Sequence, residues 1–399
     1  MWRTPEIMQI SKGANYLWGL LVITLLVVVS ASHLATKNMS HPHPKQRYFY
    51  QGFIYQPYDW SDEAFEETFR VIGENSDIIG FYFDGFVPWN EAAAKKTYHP
   101  VQEQEIQKRI NGIKPHQKIF LGTSLLGSDR VSLSGYLGEY EVPRTGKWKD
   151  KTFDDPEVIA AYLHWCRDLI TRFQPDYFMY VAEVDSGLVN VDDPRFQSLL
   201  RSVKQIYPVL KREFPSLPIL IEFVLENDEQ MSKRSEVTQS LLPYTDMYAV
   251  STFPFIMTGG NPADIPKDWF SRAKEIAPNK PFAVVETNFL AEDFYHPTQG
   301  IPIPFRKKRL LIPAREKWQA AYIEFLLSEA HRLEAEFVLH WGYRDLDQLQ
   351  AKLDGTGGAF DSNIHGFASL SKDCGLIDEK GRPRPSFNVW QRWLSLPKV

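Results

Sequence analysis

The sequence predicts an α/β protein of the (β/α)8 class, a single TIM barrel preceded by an N-terminal hydrophobic export or anchor segment. The chain has 399 residues, enough for a barrel of this class with insertions. It contains eight short apolar runs that are continuous rather than alternating, which is typical of parallel strands covered on both faces. Amphipathic patterns separate most of them, and an open doubly wound sheet rarely needs eight strands. The runs are 47–55, 78–83, 118–123, 177–183, 219–224, 247–253, 282–286 and 337–341.

Helical patterns lie between these runs and carry recognisable start signals. Ser61 precedes acidic residues and a stripe of apolar side chains, which predicts a helix that begins there. Asp155 followed by proline predicts the start of another. The four clearest helices are predicted over 61–74, 156–173, 194–214 and 315–333. Three long loops, 125–150, 288–313 and 344–374, are predicted to form walls or lids of a site.

The N-terminus resembles a secretion signal. Residues 17–31 carry no charge and follow Arg3 and Lys12, and small residues come directly after them. The run is shorter than the roughly 20 residues of a full membrane span. We therefore predict a signal peptide or signal anchor over 1–35, a linker over 36–45 and a barrel over 46–399. The folded body is expected to be secreted, periplasmic or anchored outside the cytoplasm, touching a membrane only through this segment.

The net charge and the aromatic content indicate which kinds of partner the protein is expected to bind. A net charge of −5 argues against nucleic acid as the main partner. The aromatic content of 14% suits a surface that binds flat apolar ring faces, or simply a large core. Two cysteines, Cys166 and Cys374, give no disulfide framework, although a bridge between them stays open. We expect a monomer without cofactor or metal.

Two of the predicted strands end in a glutamate. Glu183 ends the fourth run and Glu286 ends the seventh. In a barrel these ends meet at the face where active sites lie. Glycoside hydrolysis needs such a pair, because one carboxylic acid protonates the leaving oxygen while one carboxylate attacks the sugar or activates water. A structural ion pair is the alternative explanation for either glutamate.

These strand ends resemble those of clan A glycoside hydrolases, most of all the endo-β-1,4-galactanase (arabinogalactanase) family. The matching motifs are Val284-Val-Glu286-Thr-Asn288, Val181-Ala-Glu183, Ser251-Thr-Phe-Pro254, His340-Trp341-Gly-Tyr343 and Gly375-Leu-Ile-Asp378. The resemblance implies that Glu286 is the nucleophile and Glu183 the acid/base of a retaining mechanism. It covers residues 46–395 in architecture, with short motifs.

Three positions depart from the pattern of that clan. Ala182 stands where an asparagine usually precedes the acid/base. Phe253 and Phe255 stand where the sixth strand usually carries a polar group. The second strand ends without its usual arginine, so Asp84 and Asp185 are the groups proposed to replace the missing polar supports. Galactan specificity is therefore not carried over.

Aromatic and polar residues near the predicted strand ends are candidates for contact with a sugar. Ring faces pack on the apolar side of a pyranose as they pack on other apolar surfaces. The predicted substrate-binding residues are Trp60, Trp89, Trp148, Trp341, Tyr343, Phe255, Asn288, Asp84 and Asp185. A basic stretch at 306–309 could attract an acidic polysaccharide, or be a solvated loop.

The predicted function is an exported glycosidase that cleaves a polysaccharide by double displacement. A glycan-binding barrel without hydrolytic activity is the first alternative, motivated by Ala182 and Phe253. A metal-dependent hydrolase is the second, and it depends on His41, His43 and His340.

Overall fold

The computed structural model describes residues 44–295, 310–355 and 369–399. The predicted export segment, His41, His43 and the basic stretch at 306–309 lie outside the described residues. The predicted domain boundaries and the location of the protein stay predictions. Within the described residues, no helix is both long and apolar enough to cross a membrane.

Eight parallel strands close into a barrel, as predicted. Each strand pairs with its neighbours in sequence, and the last pairs with the first. The order around the barrel therefore follows the chain, which is the (β/α)8 topology. The strands are β1 (Tyr50–Ile54), β2 (Ile78–Phe83), β3 (Lys118–Thr123), β4 (Tyr177–Val181), β5 (Ile219–Val224), β6 (Tyr248–Thr252), β7 (Phe282–Thr287) and β8 (Phe337–Trp341).

A helix follows each strand. Ser61 Oγ accepts from the amide of Ala64 at 3.3 Å, and Asp155 Oδ1 accepts from that of Glu157 at 2.9 Å, which confirms both predicted start signals. The helices are α1 (Asp62–Glu74), α2 (Pro100–Gly112), α3 (Pro156–Phe173), α4 (Pro194–Glu213), α5 (Asp228–Leu241), α6 (Arg272–Ile276), α7 (Glu316–Arg332) and α8 (Pro385–Leu394).

Short elements line the loops that leave the strands. Single-turn to three-turn helices cover Trp89–Ala94, Val184–Gly187, Pro254–Thr258 and Asp347–Gly355, and 3-10 turns cover Gly146–Trp148, Leu242–Tyr244 and Pro262–Asp264. Strands Phe86–Val87, Gly135–Leu137 and Glu141–Val142 form one small sheet, and Phe294–Tyr295 pairs with Leu310–Ile312. The first small sheet ties the loop after β2 to the loop after β3.

The core has two layers. The barrel interior is filled by apolar side chains from the strands, among them Ile54, Phe120, Met179, Leu220, Met247 and Leu339. A larger cluster lies between the barrel and the helices. Burying each such side chain stabilises the fold by about 1.5–3 kcal/mol. Cys166 and Cys374 are both buried and unbridged, so the disulfide that the sequence left open is not formed.

Candidate active site

Glu286 is presented by an irregularity in β7. The register of β7 against β6 shifts between Val284 and Glu286, and its register against β8 shifts between Val284 and Thr287. An extra residue of this kind turns the strand locally and re-aims a side chain. Val285 packs into the barrel interior, and Glu286 follows with only 8% of its surface exposed. The carboxyl group therefore has little contact with solvent.

Glu183 lies just beyond the end of β4, in a left-handed backbone conformation with φ 41°. For a residue other than glycine this conformation costs roughly 1–2 kcal/mol, and such strain is concentrated at functional sites. One carboxylate oxygen accepts from Ser251 Oγ at 2.9 Å, and the other accepts from Arg130 Nε at 2.9 Å. Ser251 belongs to the sixth-strand motif of the predicted resemblance, so β6 supports the acid on β4.

Arg130 supplies the arginine that the end of β2 lacks. It comes from the loop after β3, where Asp129 Oδ1 accepts from the amides of Val131 and Ser132 and so fixes a tight turn. Arg130 also has a left-handed backbone, with φ 57°. Its Nη2 lies 2.7 Å from Asp84 Oδ2, so one guanidinium bridges Asp84 and Glu183. This pairing could not be predicted from the sequence, because Arg130 is separated from both partners along the chain.

A third glutamate, Glu222, lies inside the barrel and was not predicted. It is on β5 and has no exposed surface. The hydroxyl of Tyr82, from β2, lies 3.5 Å from Glu222 Oε1 and 3.3 Å from the carbonyl oxygen of Val285. A signal was present in the sequence: one charged residue interrupts the apolar run Ile-Leu-Ile-Glu-Phe-Val. A charge inside a buried run is rare unless it is paired or functional.

The buried carboxyl groups hold their protons more tightly than exposed ones. Burial is the main cause that raises the pKa of Glu286 well above its usual range; the charges of Glu183 and Asp84 raise it further, and Arg130 opposes them. Burial also raises the pKa of Glu222, followed by the charges of Glu183 and Glu286. Four carboxyl groups thus share one guanidinium. Arg130 binds Glu183 and Asp84 directly, whereas burial and neighbouring charges raise the pKa of Glu286 and Glu222.

Four of the predicted substrate-binding aromatics are core residues instead. Trp89 is fully buried, and its indole N–H donates to the carbonyls of Ser134 and Gly135. Tyr343 is fully buried against α1, and Phe255 is 1% exposed and meets Phe289 edge to face. Because none of them offers a ring face to solvent, their predicted stacking roles are wrong. Trp148 is 3% exposed and stacks on Trp89, so its predicted contact with a sugar is wrong as well.

Asp185 and Asn288 are structural as well. Asp185 is fully buried and accepts from the amide of Val224 at 2.9 Å and from Thr238 Oγ1 at 2.8 Å, which ties it to β5 and α5. Asn288 is fully buried and donates to Ser371 Oγ. The predicted contacts of both with substrate are therefore wrong.

Two tryptophans keep exposed surface at the strand-end face. Trp341 ends β8 and is half-buried, with its side chain packed against the barrel interior. Trp60 follows β1 and is 46% exposed. Together with Asp84, which lies beside Glu183 through Arg130, they are the predicted binding residues that the structure leaves available. Their contact with a sugar stays a prediction.

His340 has no geometry suited to a metal. Its ring is fully buried between Phe53 and Trp390, and its Nδ1 lies 3.0 Å from the carbonyl of Gly342. Burial lowers the pKa of His340 to about 4, so the ring is neutral. It contributes to no cluster of metal-binding side chains within the described residues. Of the three histidines behind the metal-dependent hypothesis, the one that the structure describes is a core residue.

Two groups of acidic side chains, from the segments after β7 and β8, are close enough to hold a cation. They are Glu292, Asp345 and Glu379, and Asp345, Asp347 and Asp373. Both groups already have cationic partners. Arg384 pairs with Asp345 and Glu292, and Lys372 pairs with Asp347 and Asp373. These contacts explain the acidic clusters as ion-pair networks that fix the last loop.

Comparison with known proteins places the fold. No family model and no curated protein sequence matches the chain. Solved structures do. A variant of GH5_18 from Bifidobacterium longum subsp. longum, determined with Manβ1-4GlcNAc, has a TM-score of 0.55 and 12% identity over 88% of this chain and 80% of its own. The likeness shows that the chain shares the closed (β/α)8 barrel fold of this protein.

Two other matches belong to the group that the sequence motifs resemble. The GH53 catalytic domain of Ignisphaera aggregans has a TM-score of 0.52 and 14% identity, over 88% of this chain and 97% of its own. A fungal β-1,4-galactanase has a TM-score of 0.51 and 13% identity, over 82% and 90%. At such identities the likeness establishes the fold alone, and at that level the predicted resemblance is confirmed.

Proposed function

We propose that this protein is an exported glycosidase that cleaves a polysaccharide by a retaining double displacement. The observation that carries the proposal is the pair of glutamates at the ends of β4 and β7, Glu183 and Glu286. Arg130 and Ser251 bind Glu183 of this pair, and Asp84 is linked to Glu183 through Arg130. Export rests on the uncharged stretch at 17–31.

Position in the barrel assigns the roles. Glu286 attacks the anomeric carbon, the bond to the leaving oxygen breaks, and Glu183 donates its proton to that oxygen. In the second step Glu183 takes a proton from water, and the resulting hydroxide displaces Glu286 from the sugar. The proton that Glu183 gave up is thereby restored.

The charges of the free protein differ from those that the first step requires. Arg130 and Ser251 bind the carboxyl group of Glu183, while burial raises the pKa of Glu286 and so favours a proton on Glu286. The first step needs the opposite arrangement. In the proposed mechanism one proton passes from Glu286 to Glu183 as the sugar enters, and the total number of protons does not change.

Azide rescue of two alanine variants tests these roles. Glu183→Ala should still form a glycosyl-enzyme from aryl glycosides with good leaving groups, and azide should then give a product of retained configuration. Glu286→Ala should be inactive, and azide should give a product of inverted configuration. The opposite pattern would exchange the two roles. Glu229→Gln, on the exposed face of α5, is the control and should behave as wild type.

A second candidate function is a glycan-binding barrel that does not hydrolyse its ligand. The contacts of Glu183 favour it, since each of its carboxylate oxygens already binds a side chain of the protein, Arg130 or Ser251, rather than facing a leaving oxygen. Incubation with a panel of oligosaccharides distinguishes binding from hydrolysis. The panel begins with β-1,4-linked galactans and mannosides, because the similar structures include β-1,4-galactanases and a protein determined with Manβ1-4GlcNAc. Calorimetric binding with unchanged oligosaccharides after long incubation would favour this function over hydrolysis.

A further inference from the structure

The hydroxyl of Tyr82 has two acceptors and only one hydrogen. It lies 3.3 Å from the carbonyl oxygen of Val285 and 3.5 Å from Glu222 Oε1. A carbonyl can only accept, whereas a phenolic hydroxyl both donates and accepts. If Tyr82 donates to Val285, its contact with Glu222 is satisfied only when Glu222 carries a proton and donates to Tyr82.

The surroundings of Glu222 favour the same proton. The residue has no exposed surface, and its Oε2 has no hydrogen-bond partner among the described residues. An ionised carboxylate with one unsatisfied oxygen is costly to bury, whereas a neutral carboxylic acid is much less so. The single hydrogen of the Tyr82 hydroxyl and the burial of Glu222 are separate observations. A proton on Glu222 explains both.

We propose that Glu222 is a positioning residue that carries a proton and, through the Tyr82 hydroxyl, fixes the irregular segment of β7 that presents Glu286. The hydrogen bonds run from the Glu222 carboxylic acid to Tyr82, and from Tyr82 to the carbonyl of Val285, the residue before Glu286. This inference rests on the proposed function, since it gives Glu286 a reaction to perform.

Charge explains why the proton belongs on Glu222. The charged or titratable groups that face it are Glu183, Glu286, Asp84, Arg130 and Tyr82. One guanidinium does not balance all of these carboxyl groups. A neutral Glu222 removes one repulsion from Glu286 and so allows Glu286 to ionise when the sugar enters. At high pH, loss of the Glu222 proton would both break the hydrogen-bond chain and restore that repulsion.

Kinetics in a Glu183→Ala background isolates this effect, because the acid/base no longer contributes to the alkaline limb of the pH profile. With an activated aryl glycoside, kcat/KM should fall as pH rises when Glu222 is present. With Glu222→Gln, whose amide still donates to Tyr82, the fall should be absent. Glu222→Leu should lower kcat/KM about tenfold at pH values where Glu222 of the parent keeps its proton, the equivalent of one lost hydrogen bond, and it too should show no alkaline fall. An unchanged alkaline limb in Glu222→Gln would overturn the proposal.

A second measurement does not depend on catalysis. Infrared spectra at neutral pH report protonated carboxylic acids by their carbonyl stretch, and Glu222→Gln should remove one such band that the exposed control Glu229→Gln retains. An acid band of equal intensity in wild type and Glu222→Gln would overturn the proposal. The two proposals can fail separately. If the band is lost in Glu222→Gln but wild type hydrolyses no glycoside, Glu222 is protonated as proposed and the proposed glycosidase function is refuted.

Discussion

Replacing Glu222 by glutamine should change how the stability of the protein depends on pH. Burial raises the pKa of Glu222 in the folded chain well above its value in the unfolded chain, which is about 4.3. Between these two values the folded state binds more protons than the unfolded state. The free energy of unfolding therefore falls as pH rises through this interval. Glutamine does not titrate, so the variant lacks this contribution.

The size of the effect follows from the linkage relation. One bound proton changes the free energy of unfolding by about 1.4 kcal/mol per pH unit. While Glu222 stays protonated in the folded state, wild type loses about 4 kcal/mol between pH 5 and pH 8 through this one group. That is a large share of the roughly 5–15 kcal/mol of a typical domain. The other carboxyl groups whose pKa is raised, Asp185, Glu286, Asp345 and Asp373, are present in both proteins and cancel in the difference.

Urea unfolding of both proteins at pH 5, 6.5 and 8 measures this difference. The two proteins should have similar stability at pH 5, and the variant should be the more stable at pH 8. Glu229→Gln controls for the loss of an exposed charge and should run parallel to wild type. Parallel curves for wild type and Glu222→Gln would mean that Glu222 is ionised in the folded protein, and the reasoning about its burial would be refuted.

A pair of tryptophan substitutions separates effects on sugar binding from effects on stability, and a substitution of Arg130 tests the ion pairs of the site. Trp341→Ala should weaken oligosaccharide binding about tenfold in calorimetry with little change in stability, whereas Trp89→Ala should cost about 3–5 kcal/mol of stability without a selective effect on binding. Equal effects of the two on binding would contradict the assignment of Trp89 to the core. Arg130→Gln leaves Asp84 and Glu183 without their cation, so it should lower stability by about 1–3 kcal/mol and lower kcat/KM at least about tenfold. Wild-type kinetics for Arg130→Gln would remove the arginine from the site.

The barrel was predictable because its signals are local. Most of each strand is a continuous apolar run. The helices α1 and α3 each begin at a capping side chain that lies within three residues of the amide that it binds. The positions of Glu183 and Glu286 followed from counting these runs. Strand ends in a barrel share one face, so a residue number at the end of a run is enough to place it.

Whether an aromatic side chain points to solvent or into the core could not be predicted in this way. Trp89, Tyr343 and Phe255 all belong to segments that leave the strand ends, and the sequence gives no sign of whether such a segment folds over its own small core. Here it does: Trp89 and Trp148 stack under the loop after β3, with ring centroids 5.4 Å apart. A loop that buries its own aromatics holds a fixed shape but offers fewer rings to a ligand.

The departures from the clan pattern acquire a physical explanation at Arg130, Tyr82 and Glu222. The sequence lacks the arginine expected at the end of the second strand and the polar group expected on the sixth. The structure brings a guanidinium from the loop after β3 to Glu183, and it brings a hydroxyl from β2, beside a carboxyl group from β5, to the segment that carries Glu286. The energy of a charge depends on distance and on the polarity of its surroundings, not on which strand supplies its partner. A motif read along one strand therefore underestimates a site whose supports come from several strands.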